Sequence, residues 1–288
     1  MKKLLLGISL MALGCFFFFS KKGRQVKNVA IAYVVPTSLV NEEGTTVSQR
    51  IVVPEGFQRK EYPVGNFSAY IQNYPLKSFE SEVINYNGKP YVYQGGHVGV
   101  FELSVPSHGL MQCADALIRL RAEYLWEQDK KEAIGFQFTS GHYCSWKEYA
   151  AGFRPQITGN KVSFLKTAKP NSSKANFYNY LDLIYTYAGT ISLQQEMLPV
   201  ATVDDIEVGD MLIYPGSLGH VIMVVDKAVN AQGKNLFIFA QGNTPSQSVH
   251  ILKNVNDVTM SPWYDIVLGE PLEIPAYRFE TTKFIRFK

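Results

Sequence analysis

Hydrophobic and polar positions change their period several times along the chain. Leu4–Phe19 is an unbroken apolar run behind Lys2 and Lys3, the pattern of an export segment and not of a domain element. Residues 21–48 are polar and weakly patterned apart from Val29–Pro36, which predicts a tether. Ile51-Val52-Val53-Pro54 opens the patterned part of the chain. Phe67–Tyr74 predicts a strand or short helix. Pro90–Phe101 has strand composition after an Asn87-Gly88 hairpin turn, and Gly95-Gly96 marks a further turn or bulge.

A helical period runs over Leu110–Gln128, with Ala116, Leu117, Leu120, Tyr124 and Leu125 on one face beside Cys113. Gly109 or Ser107 is the expected cap. Arg119 and Glu123 are expected to pair at i, i+4 on the exposed side. Ile134–Phe138 reads as a strand, Ser140-Gly141 as a turn, and Trp146 begins a helix ending near Gly152. A second long helix is predicted over Ala175–Ala188, stopped by Gly189. The period then shortens. Met211–Tyr214, Val221–Asp226 and Leu236–Ala240 predict an antiparallel meander with short connections, and the tail to Lys288 ends in a last strand. Helices with antiparallel strands give an α+β class, with residues 1–20 as signal or anchor, 21–48 as tether and 49–288 as one domain.

Composition adds location. Leu4–Phe19 falls short of the roughly 20 residues that cross a bilayer comfortably. Cys15 follows Gly14 as a bacterial lipoprotein's acceptor cysteine would, although Ala12 stands where a lipobox usually has Leu. A retained anchor and simple cleavage are the competing readings; all three put the domain outside the cytoplasm, and the lipoprotein and anchor readings tether it to a membrane in the bacterial cell envelope. A net charge of +3 with no basic stripe argues against nucleic acid. Beyond Cys15 only Cys113 and Cys144 remain. In an oxidising compartment they are either a disulfide or two packed thiols.

One constellation carries chemistry. A thiol near a helix N-terminus gains thiolate character from the unpaired N–H groups there. A histidine in reach completes the activation, and a third polar group orients the ring. Cys113, His220 and Gln241 form such a set. Against it, a cysteine on an apolar helix face is commonly a small hydrophobe, and a helix beginning at Leu110 puts Cys113 about a turn inside. Gln112 is a candidate oxyanion donor beside the Cys113 N–H. Asp115 is either a structural partner of Arg119 or a substrate contact. His250 is either a surface histidine or part of the cleft. Trp146, Trp263 and Tyr264 are either core or the floor of a groove. Asp226 reads as a turn former. His97, His108, His142 and His250 lack metal-ligand spacing, so no metal or cofactor is implied.

Two resemblances follow. Gln112-Cys113-Ala114-Asp115-Ala116, Gly209-Asp210-Met211-Leu212-Ile213 and Gly219-His220 through Asp226 resemble the NlpC- and CHAP-type papain-like cysteine peptidases and amidases. Those enzymes follow their cysteine with a small polar pair, where this chain has Ala114-Asp115. The likeness implies a papain-like sheet with a packed nucleophile helix and an N-terminal β-rich extension. A closer likeness spans Arg50-Ile51, Pro54 to Arg59, Phe67-x-x-Tyr70, Pro75-Leu76-Lys77, Gln112–Leu125, Phe138–Gly141, Ala240-Gln241, Pro245–Gln247, His250–Asn254 and Ser261–Tyr264. This series is similar to a bacterial envelope family known as domain of unknown function 4846 (DUF4846). That likeness implies a bacterial, often lipid-attached protein and no established activity. The expectation is an envelope thiol hydrolase of amide bonds, with peptidoglycan stem peptides as its substrates. Its rivals are a non-catalytic lipoprotein binding glycan or peptide, and a thiol acyl-transfer or lipid-processing enzyme.

Overall fold

The computed structural model describes residues 20–288 except Leu218. The apolar N-terminal run and Cys15 lie outside the described residues. The helices are α1 (Lys21–Val34), α2 (Val47–Arg50), α3 (Phe67–Gln72), α4 (Cys113–Glu127), α5 (Trp146–Ala150), α6 (Lys174–Tyr187) and α7 (Thr190–Glu196). The strands are β1 (Phe57–Arg59), β2 (His97–Val100), β3 (Gly135–Gln137), β4 (Tyr143–Ser145), β5 (Phe153–Thr158), β6 (Lys161–Lys166) and β7 (Leu198–Val200). The second half of the chain adds β8 (Met211–Tyr214), β9 (His220–Asn230), β10 (Asn235–Gln241), β11 (His250–Leu252), β12 (Leu272–Ile274), β13 (Tyr277–Phe279) and β14 (Phe284–Arg286).

Side-chain caps set most helix starts. The hydroxyls of Ser20, Thr46, Ser145 and Ser173, and the Asn66 side chain, each accept a backbone N–H of the following turn. These are the residue types that satisfy orphan helix donors. Expectation and structure part at α4. Leu110 and Met111 continue the apolar period, but the helix begins at Cys113, with Gln112 as its cap and not Gly109 or Ser107. The Gln112 N–H donates to Asp115 Oδ2 at 2.9 Å, so the first-turn carboxylate closes the end. Gly189 stops α6 as expected, but it also begins α7, which the periodicity did not announce.

The sheet is antiparallel in the order β2-β11-β10-β9-β8-β14-β7, with β1 paired to the far end of β9. β9 is longer than its apolar run predicts. Asp226, expected to end it, sits inside the strand and is wholly buried. It holds Arg59 Nε at 2.8 Å and Gln72 Nε2 at 2.7 Å. Partners from β1 and α3 thus let a carboxylate stay in a central strand. β10 is buried at every position and β9 at all but its last two. Strands covered on both faces read as unbroken apolar runs.

α4 packs across β9 and β10. Twelve of its residues are buried, among them Arg119 and Glu123. That pair, expected on the exposed side, is inside: Arg119 Nε meets Glu123 Oε1 at 2.9 Å, and Arg119 Nη1 donates to the Ser104 carbonyl. The pairing of Arg119 with Asp115 does not form. Pro90–Phe101 yields one strand, β2, preceded by a 3-10 turn at Gln94–Gly96 where a turn was expected, and Asn87-Gly88 turns a pair held by one isolated bridge. Residues 21–34, expected in a tether, form α1. It docks on the domain through Lys253 Nζ to the Ala32 carbonyl and through Asn28 to Glu273. No described helix is long and apolar enough to cross a membrane.

Candidate active site

Two glycines bring the catalytic candidates together. A Cβ on Gly242, just past β10, would lie 2.8 Å from the Ala116 methyl and 3.2 Å from the Gln112 carbonyl. The bare glycine lets the end of β10 meet the first turn of α4. A Cβ on Gly219 would lie 2.5 Å from the Tyr214 carbonyl oxygen and 2.7 Å from Thr190 Oγ1. That close approach fixes the start of β9, where His220 stands.

Cys113 is the first helical residue of α4 and 7% exposed. The sulfur lies against the main-chain N–H groups of Val221, Ala114 and Cys113 itself, which favour a thiolate. Burial outweighs them, with Asp115 adding to it, and pushes the thiol up to about 11. Cys113 and Cys144 are both free, so the disulfide reading is set aside. Cys144 lies on β4, away from the cleft, with its thiol pushed up to about 12, chiefly by burial.

His220 is 4% exposed, its ring packed on Tyr277 and Phe279 with centroids 4.9 and 5.9 Å away. Burial lowers it to about 4, against a smaller opposing effect of Gln241. A chain of hydrogen bonds fixes the protons behind it. The Ser248 carbonyl can only accept, so His250 Nδ1, 2.9 Å away, carries a hydrogen. His250, neutral because burial lowers it to about 4, then accepts at Nε2 from the Gln241 amide at 3.1 Å. Gln241 Oε1 therefore faces His220 Nε2 at 2.7 Å and receives its hydrogen. His220 Nδ1 is left with a bare lone pair, the condition for a general base. A flipped Gln241 amide would require a charged, buried His250.

Cys113, His220, Gln112 and Asp115 line one cleft of about 620 Å³, with Thr190, Asn243 and Tyr277 around them. Among the described residues, no hydrogen bond joins Cys113 to His220; the cleft brings them together without a resting ion pair. Gln112 accepts from the Thr244 hydroxyl at 2.8 Å across its rim. His250 does not line the cleft; it lies buried behind Gln241. Trp263 is also no cleft residue: wholly buried, it gives its indole N–H to the Val52 carbonyl at 2.8 Å. Tyr264 and Trp146 are core as well. A second cavity, of about 390 Å³, lies between α1 and the β12–β13 hairpin and holds neither Cys113 nor His220. Among the described residues, no group of three or more His, Cys, Asp or Glu is placed to hold a metal ion.

A family model matches residues 47–286, described as domain of unknown function (4846). The chain belongs to the DUF4846 family. The DUF4846 match covers α2 through β14 and so contains the whole cleft. No curated protein and no solved structure matches the chain. The looser likeness to NlpC- and CHAP-type peptidases thus stands on residues alone. Three cleft residues carried no sequence signal. Tyr277 comes from a hairpin of β12 and β13 that the pattern did not announce. Tyr185 read as one more residue on the apolar face of α6, and Thr190 follows a glycine that read as a simple stop.

Proposed function

We propose that this DUF4846 chain is a cell-envelope thiol hydrolase with a papain-like arrangement, cleaving amide bonds in peptides such as peptidoglycan stems. One observation carries the reading: the directed chain from Ser248 through His250 and Gln241 leaves His220 Nδ1 unprotonated in the cleft that holds Cys113. The thiol is up at about 11 and the imidazole down at about 4, so both are neutral at pH 7. The reaction therefore runs by general-base attack and not from a stored ion pair. The Cys113 proton passes to His220 Nδ1 as sulfur bonds to the substrate carbonyl carbon. The Cys113 N–H, with the Gln112 side chain, faces the developing oxyanion. His220 returns the proton to the leaving nitrogen, the C–N bond breaks, and an acyl-thioester remains. Water, giving its proton to His220, adds to the thioester; the carboxylic acid departs and the thiol is restored. The envelope location follows from Leu4–Phe19, with Cys15 as the proposed lipid site and the bacterial membrane and peptidoglycan as partners.

The rival reading, a silent binding protein on the same scaffold, draws on the same buried sulfur: a 7% exposed thiol pushed up to about 11 is also what an inert cysteine looks like. Digestion separates the two. Stem peptides and whole sacculi are incubated with the protein, and new amine and carboxyl ends are sought by mass spectrometry. Cleavage that vanishes in Cys113→Ala and falls about 100-fold or more in His220→Ala supports the hydrolase. Binding without new ends, unchanged in Cys113→Ala, supports the binder.

A further inference from the structure

Asp115 has more oxygen than its structural task needs. Its Oδ2 accepts the Gln112 N–H at 2.9 Å and closes the start of α4. Its Oδ1 is buried and has no partner among the described residues. The phenol oxygen of Tyr185, on α6, is in the same condition. Both residues line the cleft with Cys113 and both are more than nine-tenths buried, Asp115 at 6% exposure and Tyr185 at 7%. A capping carboxylate works with one oxygen; leaving the other dry and unpaired is costly. Burial accordingly pushes the Asp115 carboxyl up to about 7, against the backbone N–H groups of Gln112 and Asp115. The cation one turn along does not help, because Arg119 gives its guanidinium to Glu123 and Ser104.

Two acceptors from different helices, set in the wall beside the nucleophile, await a donor. A guanidinium is bound best by both oxygens of one carboxylate, and here one oxygen is already committed to Gln112. A primary ammonium carries three donors on one atom and suits one carboxylate oxygen plus one phenol oxygen. We propose that Asp115 Oδ1 and Tyr185 Oη form a subsite for a primary ammonium of the substrate, close to the bond attacked by Cys113. The subsite rests on the thiol-hydrolase reading and narrows it to peptides with a free N-terminal amine or a diamino-acid side chain. Filling it also neutralises the carboxylate that opposes ionisation of Cys113, so the right substrate favours its own attack.

The test uses chloromethyl ketone peptides on the full chain at pH 7, with Cys113 labelling followed by mass. One pair is alanyl-alanine with a free or an acetylated N-terminus; the other is acetyl-alanyl-lysine against acetyl-alanyl-norleucine. The ammonium-bearing member of at least one pair is expected to label Cys113 tenfold faster or more. Asp115→Asn, which keeps an oxygen for the Gln112 N–H, erases that preference, and Tyr185→Phe reduces it several-fold. Equal rates within both pairs, while iodoacetamide labels Cys113 in a His220-dependent way, overturn the subsite and leave the thiol reading standing. Failure of every reagent, iodoacetamide included, overturns both.

Discussion

His220 owes its role to a residue it does not touch. His250 accepts from Gln241, and this keeps Oε1 of that amide toward His220. Replacing His250 by leucine removes the acceptor, frees the amide to flip and puts the His220 proton on the wrong nitrogen. Cys113 reactivity at pH 7 is expected to fall about tenfold or more, with the fold intact by circular dichroism. His250→Gln can still accept and is expected to recover much of the loss; equal damage in both variants would make His250 a packing residue only. The pH behaviour follows from the same groups. His97, His220 and His250 are lowered by burial to about 3, 4 and 4. Groups depressed from 6.5 give stability that is present above 6.5 and lost as pH falls through 4. Asp115 works oppositely: raised from 3.8 to about 7, it contributes stability below 3.8 that is lost as pH rises through 7. Asp115→Asn is therefore expected to raise the melting temperature by several degrees at pH 8, the gain shrinking toward pH 4. A variant less stable than the parent at pH 8 would mean that Asp115 serves the fold and not a ligand.

At the scale of elements, the contact of β10 with α4 determines where the sulfur sits. Gly242→Ala forces two methyl carbons to 2.8 Å, and overpacking of this kind costs about 1–3 kcal/mol. Because the strain falls on the first turn of α4, Cys113 labelling is expected to suffer more than the urea midpoint does. The reverse result would show that β10 does not hold the nucleophile. The meander and the two long helices were legible from apolar spacing, and so were the strand ends that carry His220 and Gln241, whereas Cys113 read as a residue about a turn inside its helix. The start of α4 was not legible, because Leu110 and Met111 keep the apolar period while the Gln112–Asp115 bond does the capping. The true length of β9 was hidden too. Asp226 and Lys227 look like an end, but Arg59, Gln72 and Glu207 reach them from distant parts of the chain. Tyr185 and Tyr277 join the cleft through packing of α6 and the β12–β13 hairpin, which no local pattern records.

For the molecule as a whole, the arm from Ser20 to Arg50 is bound to the domain and does not hang from it. Buried Arg50 donates to the carbonyls of Gly44, Val98 and Lys77, and Lys253 holds the end of α1. If the segment before residue 20 is retained at a membrane, the docked arm keeps the domain close to the point of attachment. If Cys15 is acylated, an alkyne fatty acid fed to cells is incorporated into the parent chain and not into Cys15→Ser, and the variant leaves the membrane fraction. Membrane retention without label would point instead to an uncleaved anchor. Everything in the cleft turns on the sulfur, and its state is read from the rate of iodoacetamide labelling of Cys113 between about pH 5 and 8, with buried Cys144 as the reference in the same molecule. Cys113 is expected to react at least tenfold faster than Cys144, and His220→Ala to abolish the difference. A Cys113 that reacts no faster than Cys144, or as fast without His220 as with it, would contradict the claim that this cleft holds a working thiol.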